Sequence, residues 1–319
     1  MTCKKSSKSS RLIAQPQPND ARSEVLSHIF DEVLDLPAYV SELNRLLSSV
    51  PVDLKRVGRI IREHPKLSDN IIHLCKLRIA GFDDQTASID HGIVFLGTDQ
   101  MRTLILACCM ILDLGGSCSS NDLRSFWQHG LLTATLSERI ARYIGYPRPD
   151  AASRAGLFHD AGALALVRWA ADTRSPGELS NGICGEVLEE ERRSFGTDHC
   201  FVGSLIGRAW GLPEEIVDVL EFHHNPEKSK HDRLLVGIVA AADNYCVGRG
   251  IKFQLLEEPA SDPQEDGFHQ VLCRSLPGLG NGLARNLEDL LDITYRQKIN
   301  DFTSNYGSVF SGVGLQIKC

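Results

Sequence analysis

Apolar residues recur along this chain at intervals of three and four, the spacing that lays one hydrophobic stripe along an α-helix. Val40, Leu43, Leu46 and Leu47 follow Leu36-Pro37, and Pro37 suits the first turn of that helix. Asp53 stands where an N-cap belongs, ahead of Leu54, Val57, Ile60 and Ile61, and His64-Pro65 ends the pattern. Leu67, Ile71, Ile72, Leu74 and Leu77 form a third stripe, followed by a loop from Gly81 to Ala87. Ser88 and Asp90 open a short helix with Ile93, Val94 and Leu96, and Gly97 closes it. Thr98-Asp99 then starts the most apolar helix, which runs through Leu112 to Gly115-Gly116-Ser117.

The second half has the same grain. Helices are expected over Ser125 to Ile144 and, beyond Pro147 and Pro149, over Ala151 to Ala170. After a loop at 171–185 come Val187 to Phe195, Asp198 to Trp210, Glu214 to His223 and Leu234 to Val247. A polar loop over 257–267 precedes two further helices, around 268–276 and 283–301. No run alternates over strand length and no repeat is present, so the expected class is all-α. The boundaries read as a flexible tail over 1–22 and a main domain over 23–250, with a C-terminal helical extension over 251–319. The stretch Gly115 to Asn121 divides the main domain into halves, 23–120 and 121–250. Helix 99–112 is too apolar to face water, so the halves are expected to share a core.

Composition narrows the function. The 319 residues are 42% hydrophobic and 24% charged, with a net charge of −7, which is ordinary for a globular chain and argues against a nucleic-acid-coating protein. The longest apolar run, Leu104 to Leu112, has nine residues where a membrane span needs about 20. The N-terminus lacks the apolar core of a signal peptide, so the expected location is cytoplasmic with no membrane contact. Ten cysteines are scattered without a C-x-x-C pair, and most sit in apolar text, as Cys108 and Cys109 do. They read as small buried hydrophobes rather than a disulfide framework.

The histidines carry the candidate chemistry. Five of eleven fall in a spaced series with two aspartates: His129, His159-Asp160, His199, His223-His224 and Asp243. Each lies on or at the end of an expected helix, and several sit beside core-like text: Phe126-Trp127, Leu157-Phe158 and Phe222. A buried imidazole without a partner costs on the order of 1–3 kcal/mol, so such residues are paired or ligated. Neutral imidazole and carboxylate together suit a divalent transition metal, and a carboxylate between two ions can bridge them. The remaining histidines, His28, His64, His73, His91, His231 and His269, read as ordinary polar positions.

Taken in order, Phe126-Trp-Gln-His129, Gly156-Leu-Phe-His159-Asp160-Ala-Gly162, Asp198-His199, Trp210-Gly-Leu-Pro213, Phe222-His223-His224 and Ala242-Asp243 resemble the HD superfamily. Upstream, Leu36-Pro37, Ile60-Ile61-Arg-Glu-His64-Pro65 and Ser88-Ile89-Asp-His-Gly-Ile93-Val94-Phe-Leu96-Gly97 resemble the N-terminal half of HDOD domains, the HD-related output domains of bacterial signalling proteins. The resemblance covers roughly residues 30–250. It implies an HD-like multi-helix fold with an N-terminal helical half. It also implies a first metal position at His129, His159, Asp160 and Asp243 and a second at His199, His223 and His224, bridged by Asp160. The metal would be Fe, Mn or Mg.

Two departures bear on activity. The HD-GYP phosphodiesterase pattern His-Asp-x-Gly-Lys reads His159-Asp160-Ala161-Gly162-Ala163 here, so the lysine that would meet a substrate phosphate is missing. Gly145-Tyr146-Pro147 lies upstream of His159, outside the place of the Gly-Tyr-Pro loop, and reads as chance. Arg168 reads as part of a solvated helix face. The resemblance therefore implies a regulatory module with no catalytic residues, working through contacts with other signalling proteins and holding a metal or nucleotide in the HD-type pocket. The alternatives are a metal-dependent phosphohydrolase or cyclic-dinucleotide phosphodiesterase, and a purely structural scaffold with an empty polar pocket.

Overall fold

The computed structural model describes residues 18–32, 37–47, 49–78, 88–114, 118–173, 187–253, 276 and 284–297, and among them there is no strand. Residues 1–17 of the expected tail over 1–22, 174–185 of the expected loop over 171–185, 115–117 of the expected join at 115–121, the loops at 81–87 and 257–267, and residues 303–319 lie outside the described residues, as does all of helix 268–276 except Leu276.

Helix α1 (Pro18–Glu32) begins inside the stretch expected as tail, and buries Val25 and Ile29 one turn apart. Helices α2 (Ala38–Leu47), α3 (Leu54–Glu63) and α4 (Pro65–Arg78) follow the expected stripes. The Asp53 carboxylate accepts the Arg56 N–H at 3.0 Å, satisfying one orphan donor of α3, and His64 takes a non-helical ψ that ends it. Helix α5 (Ile89–Leu114) contains both helices expected there, with the break at Gly97. Gly97 has φ +76°, a left-handed conformation that costs a residue without Cβ little. Past the break, Met101 and every residue from Thr103 to Met110 are buried. One continuous core runs from Val25 through α5 to Leu291, so the apolar helix is internal.

Helix α6 (Ser120–Tyr143) begins five residues before the expected Ser125, because Ser119 and Asp122 form a reciprocal capping box. The helix expected over Ala151–Ala170 is two: α7 (Pro149–Phe158) and α8 (Ala161–Thr173). The turn between them holds His159 and Asp160. Successive residues of a straight helix diverge by about 100°, and the turn is what lets both side chains face one place. Helices α9 (Val187–Phe195), α10 (His199–Ala209), α11 (Glu214–Phe222) and α12 (Arg233–Gly248) complete the second half, and α13 covers 284–297. Helix α6 packs against α7 and α12, α8 and α11 pack against α10, and α1 lies on α8 and α9.

The Tyr146 hydroxyl donates to Asp232 at 2.8 Å, and Arg148 bridges Glu215 and Asp232, clamping the start of α7 to the cap of α12. Gly145-Tyr146-Pro147 is thus a structural corner. Arg168 is largely buried and leans toward Asp172 at 3.7 Å, which corrects the solvated-face expectation. No described helix is long and apolar enough to cross a membrane.

Candidate metal centre

All seven residues of the His/Asp series meet in one place. His129 comes from the middle of α6, His159 and Asp160 from the α7–α8 turn, His199 from the first turn of α10, His223 and His224 from the end of α11, and Asp243 from α12. His129 Nε2 lies 3.1 Å from His159 Nε2, 3.1 Å from Asp243 Oδ1 and 3.4 Å from Asp160 Oδ2. His159 Nε2 lies 3.5 Å from Asp160 Oδ2 and 3.7 Å from Asp243 Oδ1. On the other side, His199 Nε2 lies 3.3 Å from His223 Nε2 and 3.1 Å from His224 Nε2. Asp160 Oδ1 faces His199 at 3.7 Å and His223 at 3.6 Å. The two oxygens of Asp160 therefore face two separate nitrogen sets.

The outer nitrogens decide what the inner ones can do. His129 Nδ1 stands 3.0 Å from the Ile251 carbonyl, His159 Nδ1 2.8 Å from that of Gly156, and His223 Nδ1 3.1 Å from that of Val219. His199 Nδ1 stands 2.7 Å from the Glu191 carboxylate. Carbonyls and carboxylates only accept, so each Nδ1 carries a proton and donates it outward, leaving Nε2 as the atom turned to the centre. Lone pairs facing one another at about 3 Å repel unless a proton or a metal ion lies between them. Donors bonded at about 2.0–2.2 Å to one ion stand roughly 3–3.6 Å apart, and the separations here run from 3.1 to 3.7 Å. His, Asp and Cys atoms at the centre fall into groups that could hold a metal ion.

The electrostatics agree. Burial alone would lower the pKa of His129, but the hydrogen bond to Asp243 and the charge of Asp160 outweigh it and raise the value. Burial likewise opposes protonation of His223, yet the facing Cys200 and Asp160 raise it to about 10. Asp160 and Asp243, although buried, are held well below the usual carboxylate range by the surrounding imidazoles. The cluster is one of ionised carboxylates that attract positive charge.

Three contributors were not singled out from sequence. Glu191 was read only as part of a charged helix, but it is buried and touches His199. Its signal was available: Val187, Leu188, Glu191 and Phe195 share one face of α9, so a carboxylate sits in an apolar stripe. Cys200 is no inert core thiol, because its Sγ lies 3.9 Å from His223 Nδ1. Lys252 lines a cavity of about 200 Å³ together with Ala163, His129, Asp160, His224 and Asp243. No periodic signal could have placed Lys252 there, since it follows the end of α12. A larger groove, about 690 Å³, adjoins the centre at Val187 and His224.

Residues 33–226 match the HDOD domain family over more than half of the chain. The chain belongs to that family. An HDOD domain protein of unknown function from Geobacter sulfurreducens has the same fold at 22% identity, with a TM-score of 0.59 over 95% of this chain and 100% of that one. A candidate signal transduction protein from Marinobacter aquaeolei VT8 matches at 16% identity and a TM-score of 0.60, over 93% of this chain and 66% of that one. An uncharacterized protein of Treponema pallidum (strain Nichols) is 21% identical over 220 residues, which are 67% of this chain and 42% of its own length. The HDOD chain spans less than half the length of the curated relatives it matches.

Proposed function

We propose that this HDOD chain is a regulatory module of bacterial signalling that holds a pair of divalent metal ions and acts through contacts with partner proteins. The observation that carries the metal reading is the placement of Asp160, whose two oxygens face separate imidazole sets. The first position would be held by His129, His159, Asp160 and Asp243, and the second by His199, His223, His224 and the shared Asp160. A donor set so rich in imidazole suits Fe or Mn better than Mg. The regulatory reading is supported by the methyl group of Ala163 on the cavity wall, where a phosphate-contacting cation would be needed for turnover. It is also supported by the packing of α9, which carries Glu191, against α1, a route by which the centre can be felt at the surface. The Marinobacter protein of like fold bears a signalling name.

The test is metal analysis of protein purified without chelator, followed by Mn titration. Two ions per chain are expected, and Asp160→Ala should abolish the pair. A wild-type chain that retains no metal and takes up none at millimolar Mn overturns the reading.

A second reading, a metal-dependent phosphohydrolase, is favoured by Lys252, a cationic residue that lines the same cavity as Ala163. Hydrolysis that requires metal, Asp160 and Lys252 together would select it.

A further inference from the structure

Four imidazoles of the centre have a defined partner at Nδ1, and one partner differs in kind. His129 and His159 face neutral carbonyls, and His223 a carbonyl with the Cys200 sulfur 3.9 Å away, whereas His199 faces the carboxylate of Glu191. The same Oε2 also accepts the backbone N–H of His199 at 2.8 Å. Both residues are buried, Glu191 to 2% exposure and His199 to 3%, so little solvent screens the contact. A carboxylate pulls harder on the Nδ1 proton than a carbonyl does. It thereby makes the opposite nitrogen a better donor, and it fixes the ring by two hydrogen bonds instead of one.

Among the described residues, His199 is what the placement of Glu191 serves. Its neighbours Glu189, Arg192 and Arg193 are exposed, while Glu191 lies inward on the face shared with the buried Phe195. A buried charge is costly unless it is paired, and among the described residues both hydrogen bonds of the Glu191 Oε2 come from His199. No first-position imidazole receives such a contact.

We propose that Glu191 is a positioning residue that sets the affinity of the second metal position through His199, making the two positions unequal. This rests on the metal reading above. Removing the charge should weaken the second position and leave the first intact.

The test is stepwise Mn(II) titration of the full chain, followed by calorimetry and by electron paramagnetic resonance, which separates coupled pairs from single ions. Glu191→Gln keeps shape and hydrogen-bonding capacity but removes the charge. It is expected to weaken one binding step by about 10–100-fold and leave the other unchanged, so that single-ion signal persists where the wild-type already shows the coupled pair. Adding Glu191→Gln to His199→Ala should cause no further loss. Asp218→Asn, which removes a buried carboxylate whose hydrogen bonds go to residues 229–232 rather than to the centre, should lower stability without altering either step. Wild-type affinities at both steps in Glu191→Gln, or equal weakening of both, overturn the inference while the metal reading stands. A wild-type chain that binds no Mn overturns both.

Discussion

Gly162 stands against His199 with no space for a side chain between them. A Cβ at Gly162 would lie 2.0 Å from the His199 carbonyl oxygen and 2.5 Å from the Gly203 nitrogen, both backbone atoms that cannot swing aside. This backbone-to-backbone contact of α8 with α10 brings the Asp160 turn within reach of His199, and it gives a physical reason for glycine two residues after the aspartate. Gly162→Ala is expected to force the helices apart and to cost about 3 kcal/mol or more, the upper end for overpacking. It should also remove the second metal step. Gly203→Ala is the control, since a Cβ there meets its nearest neighbour at 3.4 Å and should be tolerated far better. Thermal melts with and without Mn decide it, and a wild-type metal response in Gly162→Ala would contradict this account.

Protons and the proposed metal ions would compete for the same nitrogens. His129 and His199 have raised pKa values despite burial, and that of His223 rises to about 10. A folded pKa above the unfolded value of about 6.5 stabilises the metal-free fold fully below pH 6.5, and that contribution is lost as pH rises toward 10. Metal binding must expel those protons, so affinity rises with pH. The increase in Tm on adding Mn is therefore expected to be larger at pH 8 than at pH 6, with proton release measurable in weakly buffered solution. An increase that shrinks with pH would mean the ion binds elsewhere.

Most of the helical frame was legible because amphipathic stripes and caps are local. Asp53 caps α3, Gly97 breaks α5, and Gly211-Leu212-Pro213 ends α10 in the structure as the text suggests. The expected helix over Ala151–Ala170 failed at His159-Asp160, because a continuous apolar period hides a turn whose purpose is tertiary: aiming two adjacent side chains inward. The seven His/Asp residues were legible as a series, because imidazoles beside core text need partners. Glu191 was not, because a run of glutamates looks solvated until the face on which each lies is counted out. Lys252 and the Ile251 carbonyl were out of reach, since only the path of the chain after α12 places them beside His129.

Asp218 shows how the second half is fastened. It is buried, and its carboxylate accepts the Ser229 hydroxyl at 2.5 Å, the Lys230 and His231 N–H groups at 3.0 Å and the Asp232 N–H at 3.3 Å. Burial pushes its pKa up, but these donors, led by Ser229, outweigh it and hold the value below the ordinary one. A depressed folded pKa gives stability that is present above the unfolded value near 3.9 and is lost as pH falls through the folded pKa. Asp218→Asn is expected to cost roughly 1.5–3 kcal/mol at pH 7, the range for hydrogen bonds to a charged group. The gap between variant and wild-type should narrow below pH 4. Urea unfolding at pH 7 and pH 3 measures both, and a gap that does not depend on pH would assign the loss to shape rather than charge.

Turnover separates the two readings of the centre. The wild-type chain is expected to hydrolyse cyclic dinucleotides and phosphomonoesters at no more than background with Mn, Fe or Mg supplied. The reason is local: Ala163, 4% exposed on the cavity wall, presents a methyl group where a positioned cation would neutralise developing phosphate charge. Loss of one such electrostatic contact removes on the order of a hundred- to a thousand-fold in rate. Lys252 shares the cavity, so the prediction has a direct internal opponent. If Lys252 supplies the missing charge, hydrolysis will be robust in the wild-type chain and will fall in Lys252→Ala and Asp160→Ala while the fold survives by circular dichroism. If it does not, Lys252→Ala will leave the background unchanged. Ala163→Lys then becomes the informative variant, because activity gained from that single change marks a hydrolytic pocket that lacks one part. No gain would mean that the pocket has drifted further from a hydrolytic site than its His/Asp series suggests, and would assign it a structural or ligand-sensing role.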